Sequence, residues 1–231
     1  MLYILIIITT VLISGWASMR IRSVYRQYLG IESVRGASGM EVAAAILNRS
    51  GIHDVEIVEI AGDLTDHYDP AEKRLALSSA NYHGTSLAAI GVAAHECGHA
   101  LQHAEQYGPL VWRMSAVGIT NFASQLVFWI PILGAGTGLM RGKTAMVLMA
   151  ACWGILMLFQ LVTLPVEFDA SRRAKRVLAQ LGYTVGEEDA QGVCATLDAA
   201  AWTYVAAFIS SLAWFLYHAL PLLLGGRRDD E

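Results

Sequence analysis

Apolar residues along the chain gather in four long runs, Leu2 to Met19, Ser115 to Met140, Thr144 to Val166 and Trp202 to Leu224. Each approaches or exceeds the roughly 20 residues that carry a helix across a bilayer, so four transmembrane helices are expected. The stretches between them have shorter periods. Ser38-Gly39-Met40-Glu41 is a capping box ahead of V-A-A-A-I-L-N-R-S, with Gly51 as the stop. That predicts a short amphipathic helix from Met40 to Ser50, following a polar connector from Arg20 to Arg35. His53 to Ile60 is rich in β-branched residues and reads as a strand; Leu64 to Pro70 is turn chemistry, and Arg74 to Ser79 reads as a second strand. Asn81 to Gly84 forms a loop, Thr85 or Ser86 caps the helix that follows, and Tyr107-Gly108-Pro109 ends it. Downstream, Pro165 is placed to open an amphipathic helix that closes at Gly182, and Glu187, Glu188 and Asp189 open another that runs toward the fourth apolar run.

Composition supports the membrane reading. The chain has 231 residues, of which 55% are hydrophobic, and its mean hydropathy of +0.45 is too high for an ordinary soluble enzyme. The net charge of −4 is mild and no basic cluster has aromatics interleaved, so nucleic acid is not a partner. Cys97, Cys152 and Cys194 are unequally spaced and imply no disulfide framework. No basic residue precedes the first apolar core, while Arg20, Arg22 and Arg26 follow it, which favours a retained anchor with the amino terminus outside. Arg113, Arg172, Arg173, Lys175 and Arg176 fall inside on the same topology; Arg141, Lys143, Arg227 and Arg228 fall outside, so the bias is incomplete.

The chemistry lies in the capped helix after the loop, which reads G-V-A-A-H-E-C-G-H-A-L-Q-H from Gly91 to His103. His95, Glu96 and His99 form H-E-x-x-H. At about 100° and 1.5 Å per residue, His95 and His99 project from one helical face about 6 Å apart, close enough to share one ion. Zinc takes His nitrogens in a tetrahedral shell, and a catalytic site leaves one position for water. Glu96 is then placed to take a proton from that water and pass it to a leaving amine. Three fixed residues recur by chance in unrelated chains, so the motif gains weight from its setting: an N-capped helix with small neighbours Ala93, Ala94, Gly98 and Ala100.

The third ligand comes from elsewhere. Eight residues of helix put His103 about 12 Å from His95, too far to join the same ion, so it reads as a cap or surface residue. No glycine turn returns a third histidine, since position 105 is Glu. Glu167, in P-V-E-F-D-A-S-R-R-A, is the chosen third ligand; its alternative role is a first-turn acid complementing the helix dipole. Glu167 and the histidines must share a side of the membrane, which requires an even number of spans between them, and two intervene. Asp66, His67, Tyr68 and Asp69 favour a structural role, fixing a turn through side-chain bonds, over binding metal or substrate. His83 stays open between the two.

Four stretches, L-T-D-H-Y-D-P (Leu64 to Pro70), A-A-H-E-C-G-H-A-L-Q-H (Ala93 to His103), P-V-E-F-D-A-S-R-R-A (Pro165 to Ala174) and T-Y-V-A (Thr203 to Ala206), resemble the bacterial membrane-bound neutral zinc metallopeptidases, often called YugP-like. These are similar to membrane gluzincins of the heat-shock protease and CAAX-prenyl protease type. The resemblance implies one Zn²⁺ per chain held by His95, His99 and Glu167, with Glu96 as general base. Gluzincins usually place Asp four residues after the third ligand, where this chain has Ser171; Asp169 or another acid substitutes, or the site is tuned differently. Arg172 matches a basic residue common in those relatives. Tyr204 and His67 are the candidates for stabilising the tetrahedral intermediate opposite the zinc.

The expected architecture is a mainly α membrane protein: a zincin-like catalytic region of helices plus a small β-sheet, with four transmembrane helices. Residues 1–19, 115–140, 144–166 and 202–224 span; 20–114 form the catalytic region with H-E-x-x-H, 167–201 a helical region with the third ligand, and 225–231 a polar tail. The expected function is zinc-dependent hydrolysis of peptide bonds in peptide or protein substrates, membrane proteins among them, by a multi-pass protein of the bacterial inner (plasma) membrane with its site on the cytoplasmic side. The alternative from another class is a non-catalytic, metal-stabilised membrane scaffold. An intramembrane protease is disfavoured because polar residues flank a motif core of only about 16 residues. The oligomeric state is not specified by the sequence.

Overall fold

The computed structural model describes residues 1–137 and 142–225; Gly138 to Arg141 and the tail from Gly226 to Glu231 lie outside the described residues, with the outer-hairpin Arg141 and the basic pair Arg227 and Arg228. Among the described residues, seven helices and three strands follow in the order α1 (Leu2–Leu29), α2 (Gly39–Arg49), β1 (Glu56–Ile60), β2 (His67–Asp69), β3 (Arg74–Ser78), α3 (Ser79–Tyr82), α4 (Leu87–Ala104), α5 (Gly108–Thr137), α6 (Gly142–Leu181) and α7 (Gly186–Gly225). Four of them, α1, α5, α6 and α7, are long and apolar enough to cross a membrane. The chain is therefore mainly α with a small sheet and four candidate spans, as the apolar runs predict.

Two compact units share these elements. One contains residues 1–16, 112–164 and 204–231, and the other residues 17–111 and 165–203. In the first, Ala123 and Ile130 of α5 pack with Cys152 of α6, and Trp153 stacks on Trp214. In the second, α2, the sheet, α4, the last turns of α6 and the first of α7 enclose a core that includes Val42, Ile46, Leu75, Leu77, Leu87, Ile90 and Leu178.

Several boundaries differ from the sequence reading. The connector after the first span is helical as far as Leu29, because no breaker interrupts it before Gly30. The Ser38 box forms as expected: Glu41 N–H donates to Ser38 Oγ and Ser38 N–H to the Glu41 carboxylate at 2.8 Å. The segment expected to be only a turn supplies strand β2, and β2 forms one edge of the sheet, with β1 at the other. The strand order is β1-β3-β2, with β1 parallel and β2 antiparallel to β3. Asp69 still makes the expected turn by accepting from Ala71 and Glu72 N–H. Pro165 does not open a helix but lies inside α6: the missing N–H removes one backbone bond, and helical residues on both sides carry the helix through it.

Candidate metal and catalytic site

Helix α4 is started by Ser86, whose Oγ accepts from Ala89 N–H. It is buried along most of its length, and its histidines meet α6. Gly98 makes that approach possible. A Cβ at this position would sit 2.6 Å from the Ala170 carbonyl oxygen and 3.0 Å from its Cα, so the two backbones touch where the motif carries no side chain.

This contact brings Glu167 against the two histidines. Its Oε2 lies 3.3 Å from His95 Nε2 and 3.6 Å from His99 Nε2. The three side chains offer one donor atom each within 4.8 Å of one another. Burial alone would raise the Glu167 carboxyl, but the two imidazoles against it hold it far below the ordinary carboxylate range, so it is an anion.

The outer nitrogens of both rings are also held. Ser171 Oγ lies 3.1 Å from His95 Nδ1, and Gln102 Oε1 lies 3.0 Å from His99 Nδ1. Gln102 is wholly buried, and its amide can face only one way. Its Nε2 donates to the Val166 carbonyl and to Asp169 Oδ2, both at 2.9 Å, and neither of these can donate in return. Gln102 therefore presents its oxygen to His99, and His99 must carry its proton on Nδ1. Without a metal, a proton on Nε2 would join the ring to the Glu167 carboxylate; with the ring neutral, the Nε2 lone pair is free for a cation in that place. Two imidazoles with one carboxylate are a donor set suited to zinc with a position to spare. The site therefore fits a zinc ion.

Asp169 belongs to the same network. It accepts from Arg172, from Arg173 Nε at 2.6 Å and from Gln102, and Arg173 reaches on to Glu105 at 2.7 Å. These bonds overcome burial and keep the Asp169 carboxyl below its usual range. Asp169 thus reaches His99 at one remove, through Gln102. The sequence reading missed Gln102; its signal was the spacing, three residues beyond His99 on the same helical face.

Glu96 is buried beside the ligand cluster. Burial raises its carboxyl to about 7, opposed by the nearby His95 and by a hydrogen bond from the Tyr68 backbone, and reinforced by Glu167 and Asp66. Tyr68 ties the edge strand to α4 a second time, its hydroxyl 2.9 Å from His103 Nδ1. His103, read from sequence as a cap or surface group, is thus a strand anchor.

The other candidates have plain structural partners. Asp66 accepts from Ser78 N–H at 2.7 Å and from Asn81 Nδ2 at 2.9 Å, and Asn81 in turn accepts from the Tyr25 hydroxyl. His67 is exposed on β2 with Nδ1 2.9 Å from the Thr65 carbonyl oxygen, and His83 pairs with Glu59. Tyr204 is half-buried on α7, at the start of the last segment of the unit of membrane helices.

The chain belongs to the family described as "Putative neutral zinc metallopeptidase", whose match covers residues 3–222. It is 40% identical over 230 residues to "Putative membrane protease YugP" of Bacillus subtilis (strain 168), with 100% of each chain covered. No solved structure matches it. Family membership, the apolar helices and the His95, His99 and Glu167 cluster together make this a membrane protein of a zinc metallopeptidase family.

Proposed function

We propose that the protein is a membrane-bound zinc endopeptidase of the gluzincin type, with His95, His99 and Glu167 as the zinc ligands of one site per chain and Glu96 as its general base. The observation that carries the reading is the convergence of three lone-pair donors, with a buried carboxylate of raised pKa beside them. A zinc ion held there would act as a Lewis acid and bring the pKa of a water toward neutrality.

The chain's own residues do the rest. Gln102 and Ser171 keep both imidazoles turned so that Nε2 faces the site. Glu96 takes the proton released when water attacks the peptide carbonyl and delivers it to the leaving nitrogen. Burial alone raises this carboxyl, and a zinc ion beside it would favour the ionised form that accepts the proton. The edge strand β2 is paired on one side only among the described residues, so an extended peptide can add to it through main-chain hydrogen bonds. That mode selects for extended backbone more than for side chains, and suits peptide or protein substrates presented at the membrane. The charge bias around the spans favours a site on the cytoplasmic face of a bacterial plasma membrane. A purely structural metal site has no need of Glu96 and normally uses four protein ligands, which weighs against a scaffold.

The test is digestion of a mixed peptide library by detergent-purified protein, before and after treatment with a chelator and after zinc is restored. Cleavage that disappears with chelator and returns with zinc supports the reading; cleavage that ignores the chelator removes it.

A further inference from the structure

A second site lies on α1, remote in chemistry from the ligand cluster. A cavity of about 500 Å³ is lined by Arg22, Tyr25, Arg26 and Leu29 of α1 and by Asp63 and Leu64 of the loop between β1 and β2. Arg22 and Arg26 are one helical turn apart and share a face. Both are exposed, and among the described residues neither guanidinium has an ion-pair or hydrogen-bond partner, nor has the Asp63 carboxylate. Elsewhere in the same unit arginines are used in pairs, as Arg172 and Arg173 are on Asp169. An unpaired guanidinium couple on a cavity wall is a site for an anion, and the planar fork suits phosphate.

Position along α1 says which phosphate. The apolar run ends at Met19. At 1.5 Å per residue Arg22 and Arg26 lie about 5 and 10 Å beyond it along the axis, and the headgroup layer is roughly 5–8 Å deep. Side chains in a helix lean toward its N-terminus, which for α1 is the membrane end, so both arginines reach back toward the headgroups. The loop opposite supplies an apolar contact. Leu64 has φ +55°, a left-handed conformation that leucine rarely adopts, and the residue is 38% exposed. The fold thus keeps a partly exposed leucine on the wall of a charged cavity, where acyl chain or glycerol would cover it. Asp63 on the same wall favours a headgroup that also carries a positive charge.

We propose that this cavity binds the headgroup of a membrane phospholipid, with Arg22 and Arg26 on the phosphodiester and Asp63 on an ammonium such as that of phosphatidylethanolamine. The bound lipid would fix the depth of α1 and of the β1–β2 loop that leads into the edge strand. No step of peptide hydrolysis is needed for it, so it stands or falls separately from the proposed activity.

The experiment is native mass spectrometry of the full chain in detergent with phosphatidylethanolamine, phosphatidylglycerol or phosphatidylcholine added, for the wild type, the double variant R22Q/R26Q and D63N. Thermal melting of each variant in lipid-free detergent checks the fold, which these exposed, unpartnered side chains should not perturb. The wild type should retain one phosphatidylethanolamine and bind it at least tenfold more tightly than R22Q/R26Q does. D63N should still bind phospholipid but lose the preference for phosphatidylethanolamine over phosphatidylglycerol. Equal retention by wild type and R22Q/R26Q overturns the site. Displacement of the lipid by millimolar inorganic phosphate overturns the lipid assignment, leaving a site for free anion.

Discussion

Gln102 Oε1 stands 3.0 Å from His99 Nδ1, and the other end of the same amide is fixed by Val166 and Asp169. One buried glutamine thereby places a proton on Nδ1 of His99, a proposed zinc ligand, and ties α4 to α6. Replacing it by leucine should weaken zinc binding about 10–100-fold, the usual cost of losing a partner behind a ligand histidine, and should lower stability because the Val166 carbonyl and Asp169 lose a donor. Competition against a chelating dye measures the first effect and thermal melting the second. Ser171→Ala should weaken zinc less, since the serine hydroxyl supports only His95 and carries no further network.

Gly98 is the point of closest approach between α4 and α6. In Gly98→Ala the new methyl would meet the Ala170 backbone at 2.6 Å, where no flexible side chain can move aside. The helices must separate, with a loss of about 1–3 kcal/mol typical of overpacking. Because Glu167 rides on α6, zinc content should fall together with the melting temperature. A variant that melts lower but keeps full zinc would show that the helix contact does not set the ligand distance.

Burial of Glu96 gives the chelator-stripped protein a pH signature. Its carboxyl is raised from 4.5 to about 7, so the native state holds this proton more tightly than the unfolded chain does. The stability from that difference is fully present below about pH 4.5, is lost as pH rises toward about 7, and is absent above. At about 1.4 kcal/mol per pH unit the loss amounts to roughly 3 kcal/mol. Denaturant melts of stripped wild type and Glu96→Gln should therefore converge differently with pH: the wild type should lose this increment relative to the variant between about pH 4.5 and 7, and the difference should be flat above.

Much of this was legible in the sequence because it rests on local periodicity. The four apolar runs correspond to the long helices, Ser38 and Glu41 close the box they spell out, and the i, i+4 spacing of His95 and His99 places both rings on one face. Glu167 could be chosen from its place in P-V-E-F-D and from the even number of spans between it and the histidines, and it does lie against both of them. What the sequence hid depends on contacts distant in the chain. Strand β2 is three residues long in a segment whose Asp and Pro content signals a turn, and only pairing with β3 makes it a strand. Pro165 reads as a helix start, yet α6 passes through it. Gln102 looks like an ordinary polar residue until Val166 and Asp169, more than 60 positions away, fix its amide.

The most direct test of the central claim is zinc content and peptide turnover measured side by side on wild type and Glu96→Gln prepared identically. Glu96 is not among the three proposed ligands, and glutamine preserves its size while removing its ability to take a proton. The variant should hold zinc at the wild-type ratio of one per chain and lose at least a hundredfold in turnover, within the range expected for a general base. A variant that binds zinc and cuts as fast as wild type would contradict the account.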